Sequence, residues 1–136
     1  MYEDDFITKF EEEFEIDGRK FTLKVMTGRE KDKMIDEIME IDPVQKTVKY
    51  SIEKKNAYYL GHCVLSIPYD LTDEDILKKF RSVLSEFEIE EVKTKEWKQL
   101  NPKIREKILQ LLPNKIRVGI IEKLTELNDA IELKKK

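Results

Sequence analysis

An Asp-Gly pair at positions 17 and 18 constrains the fold of this chain more than any other feature. Glycine tolerates a positive φ angle and aspartate tolerates it better than most residues, so the pair predicts the two-residue turn of a β-hairpin. Because side chains alternate along a strand, such a turn places five apolar residues on one face: Phe14, Ile16, Phe21, Leu23 and Val25. A lone hairpin is marginally stable in water, so we expect that face to pack on the rest of the chain.

The first half of the remaining chain has apolar residues at helical spacing. Thr27 and Glu30 have the spacing of a capping box, which predicts a helix that runs to Asp42 and ends before Pro43. Asp42 and Pro43 also suit the start of the next helix. We therefore expect residues 44–67 to be mainly helical, although their apolar residues also alternate as in strands.

The spacing of apolar residues in the second half of the chain predicts further helices. Residues 76–87 have the clearest amphipathic pattern and follow a cap at residues 72–75; a short helix within 90–100 comes next. Asn101 and Pro102 suit the start of a helix whose apolar residues continue to Leu111 and Leu112, and after the break at Pro113 a last helix completes the chain. The expected fold class is α+β, mostly α: an N-terminal β-hairpin followed by about five helices. We expect a single domain over residues 1–136, with the hairpin and first helices in 1–70 and a C-terminal helical part in 71–136.

Composition and the length of the apolar runs indicate the cellular compartment to expect. Of the 136 residues, 40% are hydrophobic and 40% are charged, and the net charge is −3. No apolar run approaches the ~20 residues that span a bilayer, and the acidic N-terminus does not resemble a secretory signal. We therefore expect a cytoplasmic protein that does not insert into membranes.

The residue types that carry chemistry are scarce. His62 and Cys63 are the only histidine and cysteine, and adjacent side chains point in different directions, which disfavours a nucleophilic pair. A zinc site needs more such ligands than these two. The acidic run 73–75 is typical of a helix's first turn, and no glycine-rich phosphate loop is present. We expect no catalytic residues, no cofactor and no metal, and hence not an enzyme.

The two helices around Pro113 raise the alternative of a small helix-turn-helix DNA-binding regulator. Lys115 and Arg117 lie where a recognition helix begins. Their neighbours are largely apolar, and Glu122 and Glu126 would repel phosphate. Nucleic-acid binding is therefore the weaker hypothesis.

Three segments of the chain, taken in order, form a recognisable pattern. The hairpin and first helix read FEIDGRKFTLKVMTGREKDKMIDEI, an apolar segment NAYYLGHCVLSIP follows, and the chain continues with EWKQLNPKIREKILQLLPNKIRVGIIEKLTEL. This order is similar to that of the tail assembly chaperones and baseplate hub assembly proteins of tailed phages. The first shared feature is a strand pair that contains Asp-Gly, an aromatic residue and Leu. The second is an Arg followed, some residues later, by two Leu and a Pro, before a final helix.

The resemblance implies a non-enzymatic protein that binds a phage tail or baseplate component, such as the tape-measure protein, in the host cytoplasm. A structural tail or baseplate subunit that stays in the virion fits the resemblance equally, and a homo-oligomer is left open. Because Tyr and Trp are common interface anchors and the last helix has a wide apolar face, five residues are candidate partner contacts: Tyr58, Tyr59, Trp97, Val118 and Ile121.

Overall fold

A computed structural model describes residues 9–133, with side chains described as far as residue 128. The elements are β1 (Glu11–Ile16), β2 (Arg19–Lys24), α1 (Gly28–Ile38), β3 (Met39–Asp42), β4 (Thr47–Tyr50), α2 (Ile52–His62), β5 (Val64–Ser66), α3 (Glu74–Phe80), α4 (Glu86–Thr94), a short 3₁₀ helix (Trp97–Gln99), α5 (Pro102–Leu109) and α6 (Asn114–Leu133). The fold is α+β and mostly α, as the sequence predicts.

The N-terminal hairpin has the predicted register. Ile16 lies opposite Arg19 and Phe14 opposite Phe21. The turn takes positive φ angles of 51° at Asp17 and 76° at Gly18, which this residue pair accommodates at little cost. Strand β5 pairs antiparallel with β2 and completes a three-stranded sheet in the order β1-β2-β5.

Helix α6 packs closely on this sheet. At Gly119, an added Cβ would lie only 2.7 Å from Cγ2 of Ile16, so a larger residue there would force the Ile16 side chain or the helix to shift. Further along α6, the buried side chain of Asn128 accepts a hydrogen bond from the backbone N–H of Met26 (2.8 Å) and donates to the carbonyl of Lys24 (3.2 Å). These bonds join the last helix to the end of β2, about a hundred residues earlier.

Two hydrophobic cores stabilise the described chain. The first contains Ile16, Phe21, Leu23, Met26, Met34, Ile38, Tyr59, Leu60, Cys63, Val64, Leu109, Ile116, Ile120 and Leu124. The second contains Leu77, Phe80, Leu84, Ile89, Val92, Leu100, Ile104 and Ile108. The first core thus joins the hairpin sheet to α5 and α6, so the cores do not follow a division at residue 70. Trp97 packs against both.

Residues 39–50 form a second hairpin, where the sequence favoured helix. Helix α1 ends at Ile38, earlier than predicted, and β3 and β4 pair antiparallel before α2 begins. The Asp42 carboxylate accepts hydrogen bonds from the backbone N–H groups of Val44 (2.9 Å) and Gln45 (3.2 Å). Asp42 therefore stabilises a turn and does not cap a helix. Aspartate side chains serve in both roles because they accept hydrogen bonds from nearby backbone N–H groups.

The amphipathic helix predicted over 76–87 is two helices. Helix α3 is capped by Asp73, whose side chain accepts from the N–H groups of Asp75 and Ile76, and it ends at Phe80. Ser85 then forms a capping box with Glu88 and starts α4. As a result Phe87 lies on the surface, with 72% of its area exposed, and not on the apolar face that the helical spacing assigned to it.

Candidate functional site

One of the predicted partner contacts, Tyr59, is a core residue. Its side chain is fully buried in the first core, so it has no surface to offer a partner, and that prediction is wrong. The neighbouring Tyr58 is half-buried and stacks on the His62 ring, with ring centroids 4.0 Å apart and planes 14° from parallel. The helical spacing explains the difference, because adjacent residues on α2 face different sides.

The structure does not gather the other predicted contacts into one surface. Trp97 is half-buried, and its indole N–H donates to the Val64 carbonyl at 2.8 Å, so it mainly joins the two cores. Val118 is 45% exposed, whereas Ile121 is partly buried against the first core. Tyr58 and Trp97 line different grooves, and Val118 and Ile121 line neither of them.

A groove beside His62 lies between α1, α2 and α5. It encloses about 260 Å³ and is lined by Glu37, Ile38, Lys54, Ala57, Tyr58, Gly61, His62, Pro102, Lys103 and Glu106. Burial lowers the pKa of His62, and burial raises the pKa of the adjacent Cys63 thiol to about 12. Within residues 9–128, no three His, Cys, Asp or Glu side chains converge as a metal site would require. A protonated thiol beside a neutral imidazole is a poor nucleophile.

A more apolar groove lies between α3 and the turn that joins α5 to α6. It encloses about 310 Å³ and is lined by Tyr69, Leu71, Ile76, Lys79, Phe80, Ile108, Leu109, Leu111, Leu112 and Pro113. We call it the Leu111 groove. Lys79 supplies the only charged side chain of this lining. Such a surface suits the burial of apolar side chains from another molecule.

Each wall of the Leu111 groove follows from local sequence. Ile76 and Phe80 are four residues apart on α3 and so lie on one helix face. Helix α5 ends at Leu109, and Leu111 and Leu112 follow before Pro113, which cannot continue a helix. Leu111 is consequently 42% exposed. Sequence reasoning placed Leu111 and Leu112 on a helix and missed this groove; two leucines just before a proline were its only signal.

A second apolar surface is formed by the hairpin of β3 and β4, which we call the arm. Among the described residues, ten large hydrophobic side chains are exposed, and half of them lie between positions 41 and 52: Ile41, Val44, Val48, Tyr50 and Ile52. None of these belongs to either core or packs against one. Exposed apolar surface in this concentration is typical of interaction sites.

The two basic residues at the start of α6 interact with other side chains of the chain. Lys115 forms an ion pair with Asp17, with Nζ 3.1 Å from the carboxylate oxygen. The Arg117 guanidinium donates to the side-chain oxygens of Gln110 and Asn114. The two cations that would meet phosphate groups are therefore already engaged by the chain itself.

The sequence matches no protein-family model, and no curated protein or solved structure is significantly similar to it. Across the helices that the structure describes, none combines the length and the apolar character needed to cross a bilayer.

Proposed function

We propose that this protein is a non-enzymatic protein-binding module and that the Leu111 groove is its docking site. The observation that carries the proposal is the groove's lining, which is apolar apart from Lys79 and lies open at the surface. A partner helix inserts apolar side chains spaced three or four residues apart into such a groove. Each large side chain buried in this way stabilises the complex by about 2 kcal/mol.

The partner follows from the resemblance to phage tail assembly proteins. We propose a chaperone or adaptor that acts in the host cytoplasm and binds a tail component such as the tape-measure protein. The long apolar helices of such a component aggregate when they are exposed, and a small, highly charged protein that covers them keeps them in solution. The 40% of charged residues in this chain provides that solubility.

The experiment is co-expression with a phage tape-measure protein and other phage tail proteins, followed by affinity measurement on the purified complex. Leu111→Asp places a carboxylate at the groove, whereas Val118→Asp makes the same change on α6 outside the groove lining. The two side chains are exposed to nearly the same extent, 42% and 45%, so the pair is matched.

Leu111→Asp is expected to weaken the complex by at least about tenfold, because a charged group would be desolvated in an apolar contact. Val118→Asp is expected to bind as the wild type does. Equal affinities for all three proteins would refute the assignment of the groove. A loss confined to Val118→Asp would instead move the docking site to α6.

Mass spectrometry of purified phage particles separates a chaperone from a virion subunit. A chaperone leaves before the particle is complete, so we expect the protein to be absent from finished particles. Its stoichiometric presence would contradict the chaperone proposal and favour a structural subunit.

A further inference from the structure

Lys79 gives the Leu111 groove a single cationic group. The other polar side chain of the lining is Tyr69, whose hydroxyl oxygen is buried. The Lys79 side chain is exposed, and with the described residues it forms neither an ion pair nor a hydrogen bond. An ammonium group donates up to three hydrogen bonds and accepts none. Among its side chains, the groove therefore presents one cationic donor beside an otherwise apolar surface.

The position of Lys79 does not result from pairing within its own helix. Asp75 lies four residues earlier on α3, which is the spacing and the order that favour an ion pair. Helix α4 forms such a pair at its end, where Nζ of Lys95 lies 2.7 Å from the Glu91 carboxylate. Within the described chain, Asp75 and Lys79 form none, and Lys79 lines the groove whereas Asp75 does not. The Lys79 side chain therefore extends along the groove wall.

We infer that the Leu111 groove selects a partner helix with a carboxylate beside its apolar side chains, and that Lys79 makes this selection. The inference rests on the docking function proposed above for the groove. When a partner covers the groove, the Lys79 ammonium loses part of its hydration, which is costly unless an acceptor of opposite charge replaces the water. A carboxylate supplies that acceptor, whereas an apolar or basic residue at the same place does not.

The shape of the groove favours a helix as the source of the carboxylate. Ile76 and Phe80 are one helical turn apart on α3, which matches the spacing of apolar side chains along a partner helix. The groove encloses about 310 Å³ and is open at the surface, where Leu111 is 42% exposed. A few side chains can therefore enter while the partner's backbone stays outside. A free fatty acid combines the same two chemical groups, so its binding is measured in parallel.

The test uses three helical peptides of about 20 residues that share two leucines, four positions apart, in an alanine-rich sequence. One turn before the first leucine and one turn after the second, the peptides carry Glu, Gln or Lys. One of these two residues meets Lys79 in either direction of binding. Affinity for the full chain is measured by fluorescence anisotropy at about 50 mM and about 500 mM salt. Dodecanoate is the fatty acid in the parallel titration.

Two variants of the full chain form a matched pair. Lys79→Glu reverses the charge in the groove lining, and Lys78→Glu makes the same change at the preceding position, which does not line the groove. Both lysines are exposed and lie in the last turn of α3, so both variants lose the same favourable interaction with the C-terminus of the helix. Circular dichroism should show the wild-type helix content for both.

We expect the wild type and Lys78→Glu to bind the Glu peptide at least about fivefold more tightly than the Lys peptide at the lower salt concentration. Lys79→Glu should reverse this order, and the preference should shrink at the higher salt concentration. An unchanged preference in Lys79→Glu, or reversal in both variants, would overturn the inference. So would the failure of all three peptides to bind, or tighter binding of dodecanoate than of the Glu peptide.

The Leu111→Asp variant separates this inference from the function on which it rests. If Leu111→Asp binds the Glu peptide as the wild type does, the groove is not the docking site. If Leu111→Asp weakens that binding while Lys79→Glu keeps the wild-type preference, only the role of Lys79 is refuted. The co-expression experiment tests the groove with whole tail proteins whatever the peptides do.

Discussion

Replacing Asn128 with leucine removes the polar link between α6 and the first sheet. The wild-type side chain is 1% exposed and accepts from the Met26 N–H, while its amide group donates to the carbonyls of Lys24 and Leu124. Leucine has the same number of side-chain heavy atoms and the same branching as asparagine but no hydrogen-bonding group. The substitution therefore removes all three hydrogen bonds while it keeps the branched shape of the side chain.

The expected cost follows from the groups left without partners. Met26 is only 2% exposed, so its N–H would remain buried and unsatisfied at a cost of about 1–3 kcal/mol. Lys24 is half-buried, so the loss of the bond to its carbonyl adds a smaller cost. The Leu124 carbonyl lies within α6 and retains the helix's own hydrogen bond. Together these changes destabilise the protein by about 2–4 kcal/mol.

Urea unfolding followed by circular dichroism measures this effect. With a slope of ~2 kcal/mol per molar urea, the midpoint should fall by about 1–2 M. Glu126→Leu is the matched control, because it introduces leucine on the same helix at an exposed position whose ion pair with Lys123 is long, at 3.5 Å. Its midpoint should stay within about 0.3 M of the wild type. Equal midpoints for Asn128→Leu and the wild type would refute the role given to these hydrogen bonds.

Three further predictions concern single sites. Gly61→Ala should lower the melting temperature and cost about 1–3 kcal/mol despite alanine's better helix propensity, because the new Cβ would lie 2.7 Å from the Pro102 carbonyl oxygen. Burial raises the pKa of the Cys63 thiol to about 12, so this thiol should react with a disulfide reagent at neutral pH only as the protein unfolds in denaturant. Rapid labelling of the native protein would contradict the burial of Cys63. Hydrogen bonding and charge from Lys115 lower the pKa of Asp17, so Lys115→Met should raise the pKa of Asp17 in an NMR titration. The stability that the Lys115–Asp17 pair provides should be present at neutral pH and should disappear as the pH falls through the pKa of Asp17.

The sequence predicts the elements whose signals are local. The Asp17-Gly18 turn sets the register of the first hairpin, and the capping box at Thr27 starts α1 where expected. Asn101 likewise caps α5, with Pro102 in its first turn. In each case the hydrogen bonds or backbone angles involve residues within four positions, so the pattern is sufficient.

The errors arise where two local structures fit the same residues. Asp42 before Pro43 suits a helix cap and also a turn, and only the surrounding structure shows that it stabilises the arm. The apolar spacing across residues 76–87 conceals the break before Ser85, although that serine and Glu88 form a capping box that the sequence already contains. A strong start signal inside an apolar run thus indicates two helices rather than one.

The candidate sites were harder to predict than the fold because they depend on contacts distant in sequence. Tyr59 and Tyr58 are alike in the sequence, and only the packing of α2 buries the first. The Leu111 groove combines residues from α3 with residues about thirty positions later, after α5. The arm was missed because its residues were interpreted as a helical stripe, which would have buried Val48 and Ile52.

Hydrogen exchange on the complex with a co-expressed tail protein tests the central claim most directly, since it locates the partner on this chain. The proposed docking predicts slower exchange in α3 and in the backbone amides around Leu111 when the partner is bound, with Thr47 and its neighbours in the arm unchanged relative to the free protein. Slower exchange that avoids α3 and the α5–α6 turn, or no tail protein bound at all, would contradict the claim that this groove is where the protein acts.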